Sequence, residues 1–82
     1  METNGRKMEE IQIHTDFIKL DQLLKYIGAA DSGAMAKAMV LDKKVRVDGE
    51  ICTMRGKKIR PGQQVAVADL GAWRVTGGRT SE

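Results

Sequence analysis

The sequence predicts an α+β fold in which two packed helices lie against a small, mostly antiparallel sheet. Three observations carry this. Leu20, Leu23, Leu24 and Ile27 recur at helical spacing, and an alanine-rich apolar run follows from Ala34 to Leu41. After residue 44 the period changes to two, with Val45 and Val47 and then Val65 and Val67. The valine pairs are punctuated by Asp48-Gly49 and Pro61-Gly62, both turn dipeptides. At 82 residues the chain makes one domain, with no room for a deep cleft and a second lobe.

Residues 1–9 are polar and aperiodic and read as a flexible N-terminal tail, and residues 77–82 as a second tail. The domain is expected between them, over 10–76. Ile11 and Ile13 alternate around Gln12, which predicts a short strand that Thr15 and Asp16 end. The first helix presents Leu20, Leu23, Leu24 and Ile27 on one face, carries Asp21 in its first turn, where a negative charge suits the dipole, and stops at Gly28. The second begins at Ser32, capped by Ser32 or Asp31, and closes at Lys43 and Lys44, whose charges complement its C-terminus. Because it is apolar nearly all round, most of it is expected to be buried. Asp48-Gly49 supplies the positive φ angles of a tight hairpin. A strict two-residue hairpin pairs Val47 with Glu50 and puts Cys52 on the valine face, with Ile51 beside Arg46 on the other; a bulged register is the alternative. Val65 and Val67 form the next strand, and Trp73 and Val75 a last one after Gly71.

Charge is segregated along the chain. Residues 43–60 hold Lys43, Lys44, Arg46, Arg55, Lys57, Lys58 and Arg60 against only Asp48 and Glu50, whereas residues 1–31 are net acidic. A basic stripe on a small body is the footprint expected for a polyanion, most often nucleic acid, although a solvated lysine-rich loop has the same composition. A single cysteine excludes an internal disulfide and fits a reducing compartment. No apolar run reaches the length of a membrane span and the N-terminus lacks a signal-peptide core, so a cytoplasmic protein with no membrane partner is expected. No catalytic set emerges. His14 and Cys52 cannot by themselves build a four-ligand metal site, Asp16 and Asp21 are explained by capping, and the glycines form no nucleotide loop. No metal and no cofactor is expected, and no enzyme.

The ordered set of features resembles a known family. Leu20-Asp21-Gln22-Leu23-Leu24, Val45-Arg46-Val47-Asp48-Gly49 and Lys58-Ile59-Arg60-Pro61-Gly62 are similar to the helix signature, the Val-x-Val-Asn-Gly hairpin and the closing turn of the S4-like RNA-binding domain. That domain, also called the alpha-L motif, is named after ribosomal small-subunit protein four, and the match covers about residues 11 to 68. Ser32-Gly33-Ala34-Met35-Ala36-Lys37 and Arg55-Gly56-Lys57-Lys58 resemble the small stand-alone bacterial subclass. The resemblance implies an RNA-binding accessory protein acting on structured RNA, ribosomal RNA or a ribosome precursor, as a monomer. Two departures stand out. Gly33 takes the place where most members carry Arg, so that contact falls to Lys37 or Arg55. Gln63 takes the place of an acid after Pro-Gly, which raises the local positive charge slightly.

Each candidate also has a plainer reading. Lys37 is otherwise a surface lysine covering an apolar helix, Lys43 and Lys44 a helix-end pair, Arg46 a solvated strand residue and Ser32 a cap. Lys57, Lys58 and Arg60 form the densest run and the strongest case for phosphate contact. Arg55 beside Gly56 is placed to reach an RNA groove. Ser32 and Gly33 open a helix whose free amides suit phosphate. Phe17 and Trp73 are expected in core or edge packing, so recognition is expected through shape and phosphate rather than base stacking. The alternative function is a protein-interaction domain that docks an acidic partner through the same face.

Overall fold

The computed structural model describes residues 8–77; residues 1–7 and 78–82 of the expected tails 1–9 and 77–82 lie outside the described residues. Seven strands and two helices follow in the order β1 (Met8–Ile13), β2 (Ile18–Lys19), α1 (Leu20–Tyr26), α2 (Gly33–Leu41), β3 (Val45–Val47), β4 (Glu50–Ile51), β5 (Lys58–Ile59), β6 (Gln64–Val67) and β7 (Gly71–Gly77). Five strands form one sheet in the order β1-β7-β6-β3-β4, antiparallel except for the β1–β7 pair. The other two, β2 and β5, pair as a separate antiparallel ribbon.

The strand expected at Ile11–Ile13 begins at Met8, and the last strand runs through Gly77. Strand β1 thus begins two residues before, and β7 ends one residue after, the span 10–76 expected for the domain. Met8 and Glu9 pair in register with Ala72 and Trp73, which a polar, aperiodic stretch does not advertise. The ribbon was not expected either. Two-residue strands are too short to show a period.

Burial of alternate residues builds the core. Val45, Val47, Val65, Val67, Val75 and Ile13 cover one face of the sheet, and Leu20, Leu23, Leu24, Ala36 and Val40 pack on it from the helices. The hairpin takes the strict register: Val47 faces Glu50, Arg46 faces Ile51, and the Cys52 N–H donates to the Val45 carbonyl at 3.0 Å. Asp48 and Gly49 have φ of 53° and 88°, which gives a two-residue turn matching the twist of the strands. Cys52 is buried on the valine face and Ile51 is exposed.

One expectation fails. Helix α2 is not mostly buried: Ala36 and Val40 are, but Met35 and Leu41 are exposed, as are Ala34 and Ala38. In so small a domain a nine-residue helix has core on one side only, and its outer apolar face stays in solvent.

Candidate nucleic-acid interface

The basic loop is bolted to the first helix. Helix α1 has no side-chain N-cap; instead its first amides donate to the loop, Leu20 N–H to the Lys57 carbonyl and Asp21 N–H to the Arg55 carbonyl, both at 2.9 Å. Those bonds satisfy donors that a helix start leaves orphaned, and they fix the backbone from which Arg55, Lys57 and Lys58 project. The Arg55 side chain is paired. Its Nη1 lies 3.5 Å from Asp21 Oδ2, in a half-exposed ion pair.

Both helices end in the same hydrogen-bond pattern, a Schellman turn. After α1, Gly28 N–H donates to Lys25 and Ala29 N–H to Leu24, with Gly28 at φ 83°. After α2, Lys43 N–H donates to Val40 and Lys44 N–H to Met39, with Lys43 at φ 63°. Glycine occupies the left-handed position in the first turn; a lysine occupies it in the second, against its intrinsic preference. Ser32 caps α2 as expected, its Oγ accepting from Met35 N–H at 3.2 Å. Gly33 opens the helix and Lys37 is exposed on it.

The cations gather in two groupings. Lys43, Lys44 and Arg46 line a concavity of about 250 Å³. Its floor includes Ala66 and Ala72, which stand beside Arg46 across β6 and β7. Small side chains there leave the outer sheet face open under the arginine. Arg46 Nη1 also donates to the Gly49 carbonyl at 3.4 Å, over the hairpin turn. The second grouping surrounds Phe17, with Lys58 Nζ 4.9 Å and Arg60 Cζ 5.9 Å from the ring. Between them, Asp48 accepts from Gln63 Nε2 and from Gln64 N–H, both at 3.0 Å. Those two hydrogen bonds, and then the nearby Lys57, hold its carboxyl below the usual value of 3.8.

Phe17 is half-buried and lies outside both the core cluster and the residues packed on it, whereas Trp73 is among the latter. The β2–β5 ribbon, which sets Lys19 opposite Lys58 and Phe17 beside Lys58 and Arg60, was not foreseen. Cys52 is a buried small residue, and among the described residues no three His, Cys, Asp or Glu side chains cluster as a metal site. No helix among them is long and apolar enough to cross a membrane.

The helices, the hairpin and the loop are the parts the resemblance named, and the comparison with known families decides it: the S4 domain model matches residues 11–76. The chain belongs to the S4 domain family. It is 35% identical over 65 residues to the "Probable ribosome maturation protein RlbA" of Bacillus subtilis, covering 79% of this chain and 92% of that protein. It is 41% identical over 51 residues to the "Putative RNA-binding protein YbcJ" of Escherichia coli, covering 62% of this chain and 73% of the relative. The solution structure of YbcJ, described as revealing an alfaL motif involved in RNA-binding, superposes with a TM-score of 0.66 at 32% identity. That match covers 93% of this chain and 96% of YbcJ. The alpha-L architecture of an S4 domain is thus the fold of this chain.

Proposed function

We propose that this S4 domain binds structured RNA, ribosomal RNA or a ribosome precursor, as a non-catalytic monomeric accessory protein of the cytoplasm. The contacts come from the start of α2 (Ser32, Gly33, Lys37), its end and the hairpin (Lys43, Lys44, Arg46) and the following loop (Arg55, Lys57, Lys58, Arg60). The observation that carries the reading is Lys43. A Schellman turn favours glycine at the left-handed position, as at Gly28, yet here it holds a lysine on the rim of the basic concavity. A charge kept against backbone preference, beside Lys44 and Arg46, suits a polyanion. The names of the relatives point the same way.

Bound cations displace counterions, so affinity for a folded RNA should fall steeply with salt. Neutralising about four phosphates gives a log–log slope on the order of −3 to −4. A slope near zero would sink the electrostatic account. Recovery of bound RNA from a tagged pull-down, followed by sequencing, tests the target: enrichment of ribosomal RNA supports it, and recovery of protein alone after nuclease treatment contradicts it. The grouping of Lys43, Lys44 and Arg46 around one concavity also suits one other reading, a protein-interaction domain that docks an acidic partner through the same face, and that last outcome would install it.

A further inference from the structure

The β2–β5 ribbon has two faces, and its register fixes which side chains share each. Ile18 stands opposite Ile59 and Lys19 opposite Lys58. Ile59 is fully buried and Ile18 packs on the core, so that face points inward. Side chains alternate along a strand, which places Lys19 and Lys58 outward. Phe17 and Arg60 adjoin the ribbon, one residue before Ile18 and one after Ile59, and continue the same outer face. The distances from Lys58 and Arg60 to the Phe17 ring agree with this placement. The outer face is thus one aromatic ring among three cations, with Lys19, Lys58 and Arg60 all exposed.

This ring is not explained by packing, since it lies outside the core and the residues packed on it. Nor is the arrangement comfortable electrostatically: three like charges crowd one small ribbon, and a polyanion would relieve their repulsion. Phosphate alone would need no ring. A flat apolar face flanked by cations has the chemistry of a nucleotide with its base unpaired, the base meeting the ring and the flanking phosphates meeting the cations.

Building on the RNA-binding reading above, we propose that Phe17 is the platform on which one unpaired base of the bound RNA stacks, with Lys58 and Arg60 moving from the ring to the flanking phosphates and Lys19 adding a third cation. An exposed cation–π contact is weaker than the stacking of a base on an aromatic ring, so the exchange is favourable. Phenylalanine offers no hydrogen bond, so the subsite prefers an unpaired base over a paired one without choosing which base.

The test compares two short RNA hairpins that differ only in one bulged adenosine. Wild-type protein should bind the bulged hairpin about tenfold more tightly than the fully paired one, the lower part of the range for stacking one base. Phe17→Leu keeps an apolar side chain but removes the ring. It should abolish that preference, so that the variant binds the two hairpins alike. Phe17→Tyr, which keeps the ring, should retain the preference and guards against a folding defect in the leucine variant. Lys58→Gln with Arg60→Gln should weaken binding to both hairpins. Equal wild-type binding to the two hairpins would overturn the proposal, as would an undiminished preference in Phe17→Leu or an equal loss on both hairpins in that variant. Wild-type protein that binds neither hairpin would overturn the RNA-binding reading itself, a result distinct from any of these.

Discussion

Gln63 clasps Asp48 at the end of the β3–β6 pair: its Nε2 donates to Asp48 Oδ2 at 3.0 Å, while its Oε1 accepts the Arg60 backbone N–H at 2.9 Å. One amide thereby joins the hairpin turn to the turn after β5, and so the two cation groupings to each other. The orientation is forced. The Arg60 N–H needs an acceptor, which leaves the Gln63 nitrogen facing residue 48, and only an acceptor there completes the contact.

The first prediction follows from that complementarity. Gln63→Glu sets two carboxylates face to face, and Asp48→Asn sets two donors face to face, so each alone should destabilise. The double variant restores a donor against an acceptor with the roles exchanged. A double-mutant cycle by urea unfolding should give a coupling of about 0.5–1 kcal/mol, modest because the site is solvent-exposed. Additive effects would show that the clasp contributes nothing.

The same bonds set a pH dependence. Asp48 titrates below its usual 3.8 because of the Gln63 and Gln64 hydrogen bonds. A carboxyl with a depressed folded pKa stabilises above its unfolded value, and that stabilisation is lost as pH falls through the folded value. Between pH 4 and more acid conditions, wild-type protein should therefore lose stability faster than Asp48→Asn. Parallel melting curves across that window would contradict the assignment.

Lys43 should be a residue kept at some cost to stability. Lys43→Gly relieves a left-handed φ of 63° and should raise stability by about 0.5–1 kcal/mol, while lowering RNA affinity through the lost charge. A variant that melts lower, or binds RNA as tightly as wild type, would remove the argument for a functional lysine.

Gly49 has the opposite character. Its φ is 88° and a Cβ there would meet nothing within 4 Å, so any penalty is backbone strain and not collision. Gly49→Val should cost roughly 1–3 kcal/mol, since a β-branched residue disfavours positive φ. An unchanged melting temperature would contradict the turn.

Most of the fold was legible because its elements are periodic or punctuated: the leucines of α1, the valines of β3 and β6, Asp48-Gly49 and Pro61-Gly62. What escaped lacked a local signal. The β2–β5 ribbon is defined by pairing between segments some forty residues apart, and with it went the position of Phe17. The apolar composition of α2 suggested burial, but burial depends on how many sides of a helix a small domain can cover. Gln63 was visible as a departure from the family pattern, but its contact with Asp48 had no signal in the sequence.

On the proposed function, RNA is held by the loop and hairpin cations and not by diffuse charge. Replace Lys57, Lys58 and Arg60 together with Gln, and separately replace Arg6, Lys7 and Arg79, which lie outside the described residues. Titrate each against a folded RNA at several salt concentrations, with circular dichroism as the folding control. The loop variant should stay folded, lose affinity, and show a salt slope flatter by about one unit per lost phosphate contact, while the other variant loses much less. Equal losses in both variants would contradict the account.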